Sequence, residues 1–218
     1  MYIKIKLLLN KIVKALNLIP EKLRENGIVK GRVVQENSPK NKFLKLFYMQ
    51  YHPVLYVGKN TEEFSTIQAA INNANDTPKY PVTIKISPGE YNESVKIRGR
   101  RYVSLVGSGR ENCVLQNNGD YWNPPLEIAG KSSVFNMTII AVRNNDINSK
   151  LPAYAIHHDF DGEGKSVISN CKIISQQNSA VGIGLRNNQT LVIDNCELYS
   201  SASHSLYAHN RIKKLRGK

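Results

Sequence analysis

Apolar residues change their spacing once along the chain, near Pro78, from a helical period to strict alternation. Before this point, residues 62–75 predict an amphipathic helix with Thr61 as its N-cap and with Glu62 and Glu63 in its first turn. The apolar side of that helix consists of Phe64, Ile67, Ala70, Ile71 and Ala74. After Pro78 the chain reads as short strands separated by Gly and Asn.

These strands form two interleaved series. The first comprises "SVFNMTII" (133–140), "SVISNCKII" (166–174) and "LVIDNCELY" (191–199), and the second comprises "AYAIHHDF" (153–160), "AVGIGLRNN" (180–188) and "HSLYAHN" (204–210). An offset of 25 residues places Asn170 on Asn195 and Cys171 on Cys196. Such a period predicts an all-β fold, a parallel β-helix with an asparagine ladder at one corner, capped at its N-terminal end by helix 62–75.

The two ends of the chain differ from this body, residues 51–210. Residues 1–50 carry 11 Lys or Arg against 3 Asp or Glu, and residues 211–218 carry 5 basic residues and none acidic, whereas the body is neutral. We therefore expect no nucleic-acid-binding face on the body. Residues 1–50 predict a basic amphipathic helix with a linker, which either lies on an anionic membrane or packs against protein, and residues 211–218 form a basic tail. The N-terminal apolar run is too short and too charged for a secretory signal or a membrane span, and the sequence leaves localisation unknown, with a virion or the cell surface among the options.

The three cysteines, Cys113, Cys171 and Cys196, are odd in number and lack Cys-x-x-Cys spacing. We interpret them as small buried thiols rather than a disulfide framework or a zinc site, and we predict no cofactor.

The segments "FSTIQAAINNA", "VTIKISPGEYNESVKI" and "VSLVGSG" resemble the opening of the pectinesterase family, whose members are right-handed, single-stranded parallel β-helices of the pectin-lyase-like superfold. The resemblance covers about residues 54–210. It implies that the turn with Gly89, Tyr91 and Glu93 is largely structural, although we also keep a catalytic role for Tyr91 and Glu93 open.

Pectinesterases use an oxyanion-stabilising glutamine and two aspartates, one an acid-base and one a nucleophile. Aligned on the two Asn-Cys pairs, this chain has Tyr154 in place of the glutamine, Asn178 in place of the acid-base aspartate, and Ile183 or Gly184 in place of the nucleophile. Residues 172–193 contain neither Asp nor Glu. Because one carboxylate must attack and another must transfer the proton, we expect no pectinesterase activity.

Other polar residues offer different chemistry. In "HHDFDGEG" (157–164), alternation directs His157, Asp159 and Asp161 to one side and His158 to the other. His157 and Asp159 then form an acid-base pair or, with Glu163, a site for a hard cation, unless residues 161–164 are simply an exposed turn.

Tyr121 and Trp122, in a loop rich in Asn and Pro, are candidates for stacking on a sugar ring, and His157 and Asp159 are candidates for binding the same sugar.

Two function hypotheses follow. The first is a non-catalytic β-helix module associated with cell-surface or extracellular polysaccharide, such as part of a phage or prophage tail protein. The alternative is a carbohydrate-active enzyme, an esterase or lyase, that uses residues 157–163. We also expect the C-terminal end of the solenoid to dock on a second copy or on a longer partner chain, or the sequence to be a truncated product.

Overall fold

The body of the chain is a parallel β-helix of about six turns, in which the first described turn contributes one strand and each of the next five contributes one strand to each of three parallel sheets. The computed structural model describes residues 54–59, 63–78, 80–99, 101–145, 151–159, 163–185 and 188–209. The predicted N-terminal helix in 1–50 and the basic tail at 211–218 lie outside these residues. No helix in this described part is long and apolar enough to cross a membrane.

Three sheets run along the solenoid, and all their strand pairs are parallel. Sheet A contains β1 (Val54–Val57), β2 (Val82–Ile86), β5 (Val103–Gly107), β8 (Ser133–Phe135), β11 (Gly164–Ser169) and β14 (Gln189–Asp194). Sheet B contains β3 (Gly89–Asn92), β6 (Cys113–Asn117), β9 (Thr138–Ala141), β12 (Lys172–Ser175) and β15 (Glu197–Ser200). Sheet C contains β4 (Val95–Ile97), β7 (Leu126–Ile128), β10 (Ile156–His158), β13 (Val181–Ile183) and β16 (Leu206–Ala208).

The core lies inside the solenoid and is built from columns of apolar side chains at equivalent positions of successive turns. In sheet A the pairing register stacks Ile84, Leu105, Val134, Ile168 and Ile193. All but the last of these are fully buried. Burial of apolar surface in such columns is the main stabilising contribution, roughly 25 cal/mol per Å² removed from water.

The predicted asparagine ladder is confirmed at the corner between sheets A and B. Asn136, Asn170 and Asn195 all have positive φ, at 57°, 53° and 48°. Their side chains bond to one another, because Asn170 Nδ2 donates to Asn136 Oδ1 at 2.8 Å and Asn195 Nδ2 donates to Asn170 Oδ1 at 3.1 Å. Asparagine suits this position because it tolerates the left-handed conformation better than other side chains.

The capping helix is shorter than predicted. Helix α1 spans Ile67–Asn73, and its N-cap is Thr66, whose Oγ1 accepts from Ala69 N at 3.2 Å. The prediction of a start at 62 with Thr61 as cap and acidic residues in the first turn is wrong. Phe64 instead continues extended backbone, since it exchanges hydrogen bonds with Tyr56 and Gly58. The helix packs on β1, β2 and β4 through Ile67, Ala70 and Ile71.

Candidate functional site

The "GEYNE" turn that carries the family resemblance is structural. Tyr91 is buried and its hydroxyl donates to Ser87 O at 2.9 Å. Glu93 accepts from Ile67 N at 2.8 Å and from Gln68 N at 3.0 Å, so its carboxylate supplies the negative charge at the start of α1 that was predicted for Glu62 and Glu63. Gly89 has a φ of 149°, which a residue with a side chain rarely adopts.

The outer surface of sheet C, with the turns beside it, carries a cluster of polar and aromatic residues. The pairing register places one outward position from each strand in a single row: Lys96, Glu127, His157, Gly182 and Tyr207. His158, between outward neighbours, points into the solenoid as predicted, where its Nε2 lies 3.3 Å from Ser166 Oγ. Desolvation by burial lowers the pKa of His158, which therefore stays neutral near pH 7.

Five rings converge on this surface and form what we call the aromatic face: Tyr121, Trp122, Tyr154, His157 and Tyr207. The Tyr121 ring centroid lies 4.7 Å from that of His157, 5.0 Å from Trp122 and 5.8 Å from Tyr154. Tyr154 in turn stacks on Tyr207 at 6.5 Å, with the ring planes 12° apart. His157 is almost fully buried beneath these rings, whereas Trp122 is 61% and Tyr207 44% exposed. The face thus has a packed interior and two exposed aromatic edges.

Hydrogen bonds hold the loop that carries Tyr121 and Trp122. Tyr121 N donates to Leu151 O at 2.9 Å, and Lys96 Nζ donates to Trp122 O at 3.1 Å. Asp120 Oδ1 accepts from Trp122 N at 3.0 Å, which closes a tight turn around the loop. The predicted sugar-stacking residues are therefore positioned by main-chain contacts.

Glycine in the outward row makes space for the Tyr154 ring. A Cβ placed on Gly182 would lie 2.5 Å from Tyr154 Cδ2, far inside van der Waals contact. Tyr154 therefore lies over the Gly182 backbone, between His157 of its own turn and Tyr207 of the turn that follows Gly182. Any larger residue at 182 would displace the ring.

A second glycine allows side chains two turns apart to meet. Asp159 Oδ2 and His209 Nε2 are 3.1 Å apart, and their side chains are 1% and 26% exposed. A Cβ on Gly184, in the turn between them, would lie 2.5 Å from Asp159 Cγ and 2.7 Å from His209 Nε2. Asp159, which is also the predicted partner of His157, thus makes a hydrogen bond to His209.

Next to the aromatic face lies a buried carboxylate. Glu127 is fully buried, and its Oε2 accepts from Arg98 Nε at 2.5 Å. Burial raises the pKa of the Glu127 carboxyl group, and the hydrogen bond and charge of Arg98 oppose that shift.

Gln177 and Asn178 lie in the segment that aligns with the family's acid-base motif, and their side chains hold neighbouring turns together. Gln177 accepts from Ala153 N at 3.2 Å and donates to Gly119 O at 3.2 Å and to Val142 O. Asn178 Nδ2 donates to Pro152 O at 3.0 Å, and its Oδ1 accepts from Ser179 N at 2.8 Å.

The two positions that align with the family's nucleophile, Ile183 and Gly184, also lack a reactive group. Ile183 packs against the core, so a side chain at that position points into the solenoid, and Gly184 provides the space for Asp159 and His209. Neither position offers an attacking group on the outer surface.

The cation site considered for Asp159 and Glu163 is not formed by described residues. No group of three His, Cys, Asp or Glu side chains lies close enough to hold a metal ion in the portion that the structure covers. Glu163 is exposed in this structure, and Asp161, the remaining candidate, lies outside the described residues.

Sequence reasoning missed Tyr207, His209, Arg98 and Glu127 as members of this surface. The signal for His209 was present, because a step of 25 residues from Asp159 reaches Gly184 and a second step reaches His209. Because glycine has no side chain, the sequence alone does not show that Asp159 and His209 can touch across Gly184.

The architecture defines the class of protein as a parallel β-helix with an aromatic outer face. The pectinesterase family profile matches residues 54–189, and the chain therefore belongs to the pectinesterase family. No curated protein matches the sequence.

Solved structures similar to this chain are pectin methylesterases. One, crystallised in complex with a hexasaccharide, has a TM-score of 0.52 and 18% identity, covering 74% of this chain and 62% of that one. Pectin methylesterase PemA from Erwinia chrysanthemi has a TM-score of 0.46 and 17% identity, covering 68% and 66% of the two chains. The carrot enzyme has a TM-score of 0.48 and 13% identity, covering 68% and 53%. At these identities the likeness concerns the fold, and the chain spans 62% of the length of the first of these structures.

Proposed function

We propose that this member of the pectinesterase family binds polysaccharide on its aromatic face and does not hydrolyse pectin methyl esters. The observation that carries the proposal is the continuous set of ring contacts from Trp122 through Tyr121 and Tyr154 to Tyr207, which crosses several turns of the solenoid.

Ring chemistry supports binding of a sugar. Trp122 and Tyr207 present large exposed aromatic surfaces, whose planar apolar faces suit the C–H faces of pyranose rings, while indole N–H and phenol O–H groups serve hydroxyls. A pectin methylesterase of similar fold has been crystallised with a hexasaccharide, which favours a chain of sugars as the ligand class.

The absence of ester hydrolysis rests on the motif positions. The Asn178 amide donates to Pro152 O and accepts from Ser179 N, and neither Ile183 nor Gly184 can attack an ester. An amide neither donates nor accepts a proton at the pKa that general acid-base catalysis requires.

A binding assay with matched variants tests the proposal. We expect the full chain to bind a subset of an array of bacterial and plant polysaccharides, and Trp122→Ala and Tyr207→Ala to weaken binding roughly tenfold each, about 1.4 kcal/mol. The control is Tyr199→Ala, because Tyr199 is also 60% exposed but lies in sheet B, away from the aromatic face. Equal loss in all three variants, or binding that none of them changes, would contradict the proposal.

The second candidate is a carbohydrate-active enzyme, an esterase or lyase acting on another polysaccharide. The observation in its favour is the Asp159–His209 hydrogen bond beside the aromatic face, because a histidine oriented by a carboxylate can serve as a general base. Mass spectrometry of products from each polysaccharide that binds would reveal such activity. His209→Asn should abolish it and His204→Asn, at an exposed position, should not; unchanged products in both variants would exclude a role for this pair.

We extend the binding proposal to a surface-associated role, including that of a phage or prophage tail protein. The ligand class supports this surface-associated role, since polysaccharides cover many cell surfaces. Binding of the labelled chain to whole bacteria, abolished by stripping their surface polysaccharide, is the expected result, and binding that survives the stripping would contradict this role.

A further inference from the structure

Two cysteines occupy equivalent positions in successive turns of the solenoid. Lys172 pairs with Glu197 and Ser169 pairs with Asp194 in the sheets on either side of the corner, so Cys171 lies directly over Cys196. Adjacent strands are about 4.8 Å apart, which falls within the range of Cα separations that disulfides span.

The surroundings of the two sulfur atoms repeat from one turn to the next. Cys171 Sγ lies 3.3 Å from Ser169 O and 3.8 Å from Val134 O. Cys196 Sγ lies 3.2 Å from Asp194 O and 3.6 Å from Ile168 O, which are the corresponding atoms one turn later. Both side chains therefore point the same way, and rotation of one about χ1 brings its sulfur toward the other.

We propose that Cys171 and Cys196 are a modification site, at which a disulfide oxidant of the glutathione class joins the last two described turns of the solenoid by an intramolecular disulfide. Cys113 has no such partner among the described residues, because the position that stacks on it one turn later is Met137.

The two thiols differ in exposure and in pKa, and both differences favour Cys196 as the one that reacts first. Cys171 is fully buried, whereas Cys196 is partly exposed. A hydrogen bond from the Cys171 thiol lowers the pKa of Cys196, and the same bond together with burial raises the pKa of Cys171. Cys196 is therefore the attacking thiolate and Cys171 the resolving thiol.

The reaction proceeds by two exchanges. Cys196 thiolate attacks one sulfur of oxidised glutathione, which breaks that disulfide and releases one glutathione thiolate. Cys171 then attacks the Cys196 sulfur of the mixed disulfide and releases the second glutathione. The two cysteines lose two electrons to the glutathione disulfide, and their two protons pass to the released glutathione thiolates.

The test equilibrates the full chain with oxidised and reduced glutathione at graded ratios, then alkylates the denatured protein and maps its peptides by mass spectrometry. We expect free thiols to fall from three to one, with Cys113 remaining and one linked peptide pair joining Cys171 to Cys196. In Cys171→Ser the expected product is a stable glutathione adduct on Cys196, and in Cys113→Ala the linked pair should persist.

Hydrogen exchange gives a second readout on the unmodified sequence. Because a disulfide restricts local opening, we expect exchange in 189–209 to slow roughly tenfold or more on oxidation, while exchange in 82–107 stays the same. A glutathione adduct that accumulates on Cys196 of the unmodified chain without forming the linked pair would overturn the proposal. So would a linked pair that includes Cys113.

Discussion

Replacement of Gly184 by alanine should separate Asp159 from His209 without otherwise straining the chain. The φ of Gly184 lies outside the left-handed region, so alanine meets no backbone penalty there. The obstacle is steric, because the new methyl group would lie 2.5 Å from Asp159 Cγ and 2.7 Å from His209 Nε2. Both side chains must move, and the hydrogen bond between them must break.

The expected cost follows from the burial of the pair. Asp159 is 1% exposed, so its carboxylate loses a partner in a place where water cannot fully replace it. Loss of a hydrogen bond to a charged group costs about 1.5–3 kcal/mol, and the displaced packing adds to it. We expect the free energy of unfolding to fall by about 2–4 kcal/mol, a large share of the 5–15 kcal/mol typical of a domain.

Urea denaturation of four proteins would measure this effect: the original chain, Gly184→Ala, His209→Gln and the double variant. If alanine acts by breaking the Asp159–His209 pair, the losses of unfolding free energy should not add. The loss in the double variant should be smaller than the sum of the two single losses by at least about 1 kcal/mol. Gly107→Ala is the matched control, since its methyl group would lie 2.4 Å from Asn136 O, several turns away from His209, and its cost should add to that of His209→Gln. A loss below about 0.5 kcal/mol, or strict additivity with His209→Gln, would refute the reasoning.

Three further predictions concern separate features. The chain should release no methanol from methylated pectin, and Asn178→Asp should not restore release; a methanol assay beside an active pectin methylesterase decides both. Because burial lowers the pKa of His158, below pH 6.5 the unfolded state binds a proton that the folded state does not, and the free energy of unfolding should fall by up to about 1.4 kcal/mol per pH unit. His158→Gln should lose that part of the slope, and an unchanged profile would contradict the assignment. Asn170→Ala should cost about 2 kcal/mol in thermal denaturation, from its positive φ and lost ladder bonds, and Asn170→Gly less; equal costs would assign the whole effect to the side chain.

The fold was predictable because the stacked turns of a solenoid have similar lengths and therefore produce a regular period in the sequence. The offset that aligns Asn170 with Asn195 predicted both the stacked turns and the corner ladder, and the structure confirms them. The helix boundary was not predictable from spacing alone, since Phe64 fits an apolar helical face as well as it fits the extended strand pairing that it makes. Tertiary pairing with the first turn decided between the two.

The candidate site was only partly predictable. Tyr121 and Trp122 could be selected because aromatic residues in a polar loop are seldom core residues. The proximity of Tyr154 and Tyr207 depends on Gly182, and that of Asp159 and His209 depends on Gly184, so both contacts arise from what a glycine leaves open. A sequence pattern shows which side chains are present. The space that Gly182 and Gly184 leave becomes visible only in the structure, where the turns are stacked.

Because the glycine positions bring side chains of separate turns together, a ligand that binds the aromatic face also stabilises the stacking of those turns. The aromatic face draws on the loop at Tyr121, on the turn with Tyr154 and on the last described turn with Tyr207, so a sugar chain lying across it would touch all three. A ligand that binds only the stacked arrangement stabilises it by RT ln(1 + [L]/Kd), about 2.7 kcal/mol at a hundredfold excess over Kd. Polysaccharide would then act as an external brace, and protease resistance of residues 188–209 would rise with its concentration.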